Sequence, residues 1–229
     1  MDKSTKSKIN RRDFLKFAPT LGAVGIGLGL GTKSLANVCI NTPAQTAGPF
    51  YPGEREFSSL TDLTQLEGHS ERAEGQIIYI KGRVLDAQCQ PLTNANVEIW
   101  QACATGKYNN PRDPNPAPLD EHFRYWAETF TNDKGEYFFK SILPGAYPAD
   151  TDWTRPPHIH FRISKLGYSE LITQMYFKGD QLNDSDLILK QIPQTERNSV
   201  IIEFTPSENG LEEKSLTGNF DITLQKVRR

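Results

Sequence analysis

Ile77-Ile78-Tyr79-Ile80-Lys81-Gly82-Arg83-Val84-Leu85 alternates and is rich in β-branched and aromatic residues. That pattern fits a pleated, half-buried strand. Similar short runs continue down the chain. Val97–Gln101 reads as a second strand. Thr129–Thr131 and Glu136–Lys140, with Asn132-Asp133-Lys134-Gly135 between them, read as a hairpin with a short turn. Ile159–Ile163, Leu171–Phe177, Val200–Phe204 and Phe220–Leu224 complete the set. Some eight short strands bounded by Gly, Pro and Asn clusters predict an all-β fold, a two-sheet β-sandwich with active-site loops and little helix. Ser185–Gln191 is expected to form one or two helical turns. Tyr108–His122, with Pro111, Pro114, Pro116 and Pro118, is expected to be a stiff loop.

The chemistry concentrates in Arg155-Pro156-Pro157-His158-Ile159-His160-Phe161. Residues two apart on a strand point to one face, so His158 and His160 can aim at one point while Ile159 faces away. Imidazole suits zinc, copper, iron or nickel, and two histidines alone do not choose among these. Tyr108 follows Gly106-Lys107, and Tyr147 lies in Pro144-Gly145-Ala146-Tyr147-Pro148. Such turns project side chains from a rigid scaffold. A phenol titrates near 10, roughly, so a phenolate ligand needs a strongly charged, hard cation. Ferric iron meets that need, which gives a two-His, two-Tyr Fe(III) site.

Glu98-Ile99-Trp100-Gln101-Ala102, Gly106-Lys107-Tyr108, Leu143-Pro144-Gly145-Ala146-Tyr147-Pro148, Arg155–Phe161 and Leu171–Phe177 occur in that order. Together they resemble the intradiol ring-cleavage dioxygenases, most closely the protocatechuate-type subunits, over roughly residues 46–205. The resemblance implies that Tyr108, Tyr147, His158 and His160 hold Fe(III). It makes Tyr147 and His160 the axial pair, with Tyr108, His158 and a hydroxide in the equatorial plane. Tyr147 then leaves the metal when substrate arrives. Arg155 takes the place of the family's active-site arginine, stabilising negative charge on the substrate ring. Gln174 falls near the family's glutamine, which would bond Arg155 or a ligand. The implied reaction opens a catechol-type ring with O2 to a cis,cis-muconate. One departure bears on substrate: Ala149 stands where protocatechuate-type subunits often carry an aromatic residue, which predicts a more open pocket.

Two other readings stand beside this one. The first is a secreted β-sandwich binding module with an inactive site. The second is a zinc or copper enzyme using only His158 and His160, although no acid lies within the His motif and zinc sites usually draw on His, Cys and carboxylates. Trp100 reads as core or pocket wall. Trp153 and Tyr51 read equally as pocket lining or core packing. His69 and His122 read as surface histidines.

The first 36 residues read as a twin-arginine signal peptide, with residues 37–229 as the dioxygenase-like domain. Arg11-Arg12-Asp13-Phe14-Leu15-Lys16 precedes the apolar run Ala18–Gly31 and the small-x-small site Ser34-Leu35-Ala36. The apolar run is shorter than the roughly 20 residues a membrane span needs. Cleavage after Ala36 leaves no stable anchor and predicts a periplasmic or extracellular protein. The leader holds seven of the 26 basic and two of the 28 acidic residues, so the remainder has a net charge of −7. That acidic balance argues against a nucleic-acid partner. Cys39, Cys89 and Cys103 allow one disulfide and one free thiol, with the pairing left open. The full ligand set on one chain is compatible with a monomer or a homo-oligomer.

Overall fold

The computed structural model describes residues 38–53, 60–208 and 211–227. The expected export signal and the expected boundary after Ala36 lie outside the described residues. The strands in chain order are β1 (Ile77–Asp86), β2 (Asn96–Trp100), β3 (Trp126–Phe130), β4 (Glu136–Ile142), β5 (Tyr147–Asp150) and β6 (Trp153–Arg155). They continue with β7 (His158–Ser164), β8 (Leu171–Phe177), β9 (Ile201–Ile202), β10 (Phe204–Pro206), β11 (Leu216–Asn219) and β12 (Ile222–Leu224). One sheet runs β10-β11-β1-β12 with β4 on the other edge of β1, a second runs β3-β2-β7-β8-β9, and β5 pairs with β6 alone. The expected all-β sandwich with little helix is therefore present. Helix among the described residues is limited to 3-10 turns at Gln181–Asp184, Leu189–Gln191 and Arg197–Ser199.

Alternation explains how the sheets meet. Ile78, Ile80 and Val84 on β1 and Phe139 on β4 are buried against Val97, Ile99, Ile159, Phe161, Ile163 and Met175 of the second sheet. The second sheet is buried on its other face as well. There Trp100, Ala102, Tyr108 and Tyr147 form a separate cluster, covered by Ala47, Phe50, Tyr51 and Ile172. The period of two puts Ile159 and Phe161 in the sandwich core, and His158 and His160 beneath that outer cover. The site thus lies on the loop-covered face of the second sheet.

Three sequence expectations are corrected. Thr129–Lys140 is not a hairpin: β3 pairs with β2 and β4 with β1, so the chain crosses from one sheet to the other. The turn does carry hairpin-like local bonds, Asn132 N–H to Glu136 O at 3.0 Å and Gly135 N–H to Asn132 O at 2.9 Å. Beyond it, Thr131 is captured by Ala95, which exchanges bonds with its backbone and hydroxyl, and the strands part. The expected strand Val200–Phe204 divides between β9, parallel to β8, and β10, antiparallel to β11, with Val200 outside both. Phe220–Leu224 begins later than expected, because Asp221 turns its carboxylate to the backbone N–H and guanidinium of Arg83. That interrupts the ladder between β11 and β12. Gly82 is needed opposite this break, since a Cβ there would lie 2.0 Å from Phe220 O.

Cys39 and Cys89 form a disulfide, and Cys103 is free and buried.

Candidate active site

His158 and His160 open β7, each almost fully buried. The ladder with β8 sets His158 opposite Tyr176 and His160 opposite Gln174, and β2 sets Trp100 opposite His160. Directly opposed residues share a face. The His160 ring stacks on Trp100 at 4.8 Å and 7° between planes, which fixes its orientation. His158 Nδ1 lies 2.7 Å from Pro156 O, so it donates there and leaves the Nε2 lone pair facing the site. Burial, with Arg155 adding to it, pushes both imidazoles well below their ordinary pKa, so both are neutral.

Tyr108 arrives on a loop and Tyr147 at the start of β5. Gly106 sits at φ +82°, and a Cβ on it would lie 2.3 Å from Ala146 O. From the other side, a Cβ on Gly145 would lie 2.4 Å from Ala104 O. These two close approaches press the segment before Tyr108 against the segment before Tyr147, and Gly145 N–H donates to Cys103 O at 3.0 Å. Asp113 and Asn115 of the proline-rich loop lock it further: Tyr108 N–H donates to Asp113 Oδ2 at 2.7 Å, and the Asn115 amide donates to Gly106 O at 3.0 Å. The Tyr108 and Tyr147 rings meet edge-on at 5.5 Å. Tyr108 Oη lies 3.5 Å from His158 Nε2. Tyr147 also pairs through its backbone with Arg155 across β5 and β6. All four sequence-predicted ligand residues therefore converge.

Burial raises the pKa of both phenols. The Arg155 charge opposes that rise at each. Left to the protein alone they are neutral phenols.

Arg155 is buried and paired with the fully buried Asp186, Nε to Oδ2 at 2.9 Å. Its other donors reach Gln174 Oε1 at 2.8 Å, Tyr176 Oη at 3.2 Å and His158 Nε2 at 3.2 Å. Burial works against the guanidinium charge, but the bond to Asp186 leaves its pKa above the ordinary value. Gln174 in turn donates to Thr46 O at 2.9 Å and ties the N-terminal segment to β8. Asp186 also accepts the backbone N–H groups of Ile188 and Leu189.

A cavity of about 450 Å³ adjoins these groups. Its walls include Pro49, Phe50, Pro114, Tyr147, Ala149, Trp153, Arg155 and Ile188. Ala149 and Trp153 line it. Tyr51 does not: its hydroxyl donates to Glu98 at 2.8 Å and accepts from Arg162 at 2.7 Å, while its ring packs edge-on against Trp100. Sequence reasoning missed Asp186, Tyr176, Phe50, Pro114 and Ile188. Only Tyr176 carried a signal, its period-two offset from Gln174.

Whether this set suits iron can be tested on the chain itself. His160 Nδ1 is buried without a hydrogen-bond partner. Two neutral imidazoles and two phenols, all buried and turned toward one another, form a donor set for a hard, highly charged cation. The residues fit that ion.

A family model described as "Dioxygenase" matches residues 47–226. The protocatechuate 3,4-dioxygenase beta chain of Burkholderia cepacia is 39% identical over 181 residues, covering 77% of this chain and 76% of that one. A catechol 1,2-dioxygenase of Candida albicans is 28% identical over 159 residues, 64% of this chain and 49% of that one, so this chain spans about half of that relative. Among solved structures, the dioxygenase domain of a dioxygenase–carbohydrate-binding protein fusion from Streptomyces sp. SirexAA-E superposes with a TM-score of 0.61 at 24% identity. That match covers 82% of this chain and 100% of the other.

Proposed function

Because the chain belongs to the intradiol ring-cleavage dioxygenases, we propose that it binds Fe(III) through Tyr108, Tyr147, His158 and His160 and cleaves a catechol-type ring with O2 to a cis,cis-muconate. The observation that carries this is the convergence of four buried ligand side chains beside an apolar cavity with a buried arginine in its wall. Bound Fe(III) would hold the phenolates and the substrate's oxygens and make the ring reactive toward O2. The two phenols favour it over zinc or copper: burial raises their pKa, so only a strong local cation makes them phenolates.

The chain's own groups supply the rest. Tyr147 lines the cavity and is the ligand nearest incoming substrate. With the ion bound, the Tyr147 oxygen would be the ligand atom placed to take a proton from a catechol hydroxyl. Arg155, held charged by Asp186 and aimed by Gln174, stabilises negative charge on the ring without having to move. Phe50, Pro114, Trp153 and Ile188 sandwich the ring and exclude water.

The cavity also favours a substrate class. Arg155 is the one cation among the described lining residues; Asp186, Gln174 and Tyr176 occupy its Nε and Nη2, which leaves only Nη1 to meet negative charge and no two-pronged face for a carboxylate. An uncharged catechol fits better than one bearing a carboxylate, and Ala149 leaves room for a small ring substituent. Oxygen-uptake assays with catechol and with 3,4-dihydroxybenzoate, with product identification, test both statements. Muconate from catechol at the higher kcat/KM is expected. No intradiol product from any catechol by the iron-loaded protein would end the proposal.

The twin-arginine reading supports export to the periplasm or beyond, and the Cys39–Cys89 disulfide is of the kind that persists in an oxidising compartment. Cell fractionation tests this, with the processed chain expected outside the cytoplasm.

A further inference from the structure

His69, Glu71 and His122 lie away from the residues described above, and each brings a donor atom within 4.8 Å of the other two. Two segments supply them, and the fold laces those segments together. Asp120 accepts the backbone N–H of Glu74 through one carboxylate oxygen at 2.8 Å and that of His122 through the other at 2.9 Å. Arg124 N–H donates to Leu63 O at 3.0 Å. An isolated bridge between Gln65 and Arg72 closes the turn that carries His69. The three side chains are thus neighbours by construction, although His69 and Glu71 are exposed.

His122 Nδ1 is buried and has no hydrogen-bond partner. Such a nitrogen needs an explanation in a folded protein, and an ion is one of the few available. Glu71 is ionised: its own backbone N–H and the Ser70 hydroxyl hold its carboxyl below the usual range, with His122 contributing. Glu74, Asp120 and Glu121 line an adjoining cavity of about 270 Å³ and add negative potential.

We propose that His69, Glu71 and His122 form a divalent-cation site of zinc-type chemistry, with two imidazoles and one carboxylate on the protein and water completing the shell. Zinc would draw the three donors inward from their present spacing by side-chain rotation. It would clamp the Leu63–Glu74 segment to the far end of the loop that begins at Tyr108.

The test uses the iron-loaded full chain, with Zn²⁺ alone as the probe. Metal analysis after equilibrium dialysis counts zinc and iron per chain, and calorimetric titration gives the affinity. One zinc per chain is expected in addition to a full iron complement. His122→Ala and Glu71→Gln should each weaken that zinc by at least about tenfold, the lower end of what losing even a ligand's supporting partner does. Iron content should be unchanged in both, and Glu203→Gln, at an exposed carboxylate paired with Lys178, should bind zinc as wild type does. Should His122→Ala fail to fold, His69→Ala, at an exposed position, carries the same expectation. Absence of zinc uptake by wild type, or wild-type affinity in His69→Ala and Glu71→Gln, would overturn the site. If zinc also occupies the four-residue centre, the count rises to two and these variants still remove only one.

Discussion

The two halves of the candidate centre are positioned by different physics. His158 and His160 sit on a strand laddered on both sides, by β2 and by β8, and their direction follows from period-two alternation. Tyr108 sits on a loop and Tyr147 opens the small β5–β6 ribbon, and the segments before them touch at Gly106 and Gly145, where backbone meets backbone. The histidine half is therefore as rigid as the core of the sheet. The tyrosine half is only as rigid as two tight contacts, one proline-rich loop and a two-stranded ribbon. The ligand role proposed for Tyr147, which would have it leave the ion as substrate arrives, suits the second kind of scaffold better.

The sharpest way to break this comparison is to remove a strand-borne ligand. His158→Ala or His160→Ala should abolish iron retention and lower activity by more than the roughly 100-fold that loss of a ligand's supporting partner gives. Metal analysis and oxygen uptake read this, and activity within tenfold of wild type would count against the ligand set.

Next in size is the buried support. Asp186→Asn leaves Arg155 charged without its partner in a dry site, and breaking a buried pair in this way costs about 3–5 kcal/mol. Denaturant unfolding should show that loss, and kcat should fall as Arg155 turns away. A change under about 1 kcal/mol would mean that Gln174 and Tyr176 hold Arg155 unaided.

The tyrosine half is probed by Gly106→Ala, which meets both a positive φ and Ala146 O at 2.3 Å. Gly179→Ala is the matched control, with φ +89° and nothing within 4 Å of its added Cβ. Both should be destabilised by about 1–3 kcal/mol of backbone strain. Only Gly106→Ala should also lose activity, through displaced Tyr108 and Tyr147. Equal activity in the two variants would show that the loop contact does not position the tyrosines.

The smallest effect lies far from the site. Arg72, then Lys140, hold the Glu212 carboxyl at about 2, below its usual 4.5. A depressed folded pKa gives stability that is present above about 4.5 and lost as pH falls toward 2. Glu212 is about a third exposed, so solvent screening limits the contribution to about 1 kcal/mol or less. Glu212→Gln should flatten the stability–pH curve between those values and leave neutral-pH activity unchanged.

The histidine half was legible because alternation is a local rule: Ile159 inward and His158 and His160 outward follow from the period alone. The tyrosine half was legible as candidates from the Gly- and Pro-rich turns, but their meeting was implied only by the resemblance, since nothing local says that residues before Tyr108 and Tyr147 will touch. Asp186 was not legible, because its link to Arg155 joins a strand end to a short turn 31 residues away, with no periodicity between them. The misread hairpin has the same cause. Asn132–Gly135 has the chemistry of a hairpin turn, and the partners of β3 and β4 are chosen by long-range packing. In the strand near Phe220, a single aspartate reaching Arg83 interrupted a pattern that otherwise reads as continuous.

The most direct test of the four-ligand centre is the visible spectrum of the iron-loaded protein, wild type beside Tyr108→Phe and Tyr147→Phe, before and after anaerobic catechol. The account expects a burgundy tyrosinate-to-iron(III) band in wild type that is altered by each substitution and moves to longer wavelength with catechol. A protein that stays colourless after reconstitution with iron in air, or a band that neither substitution changes, would contradict it.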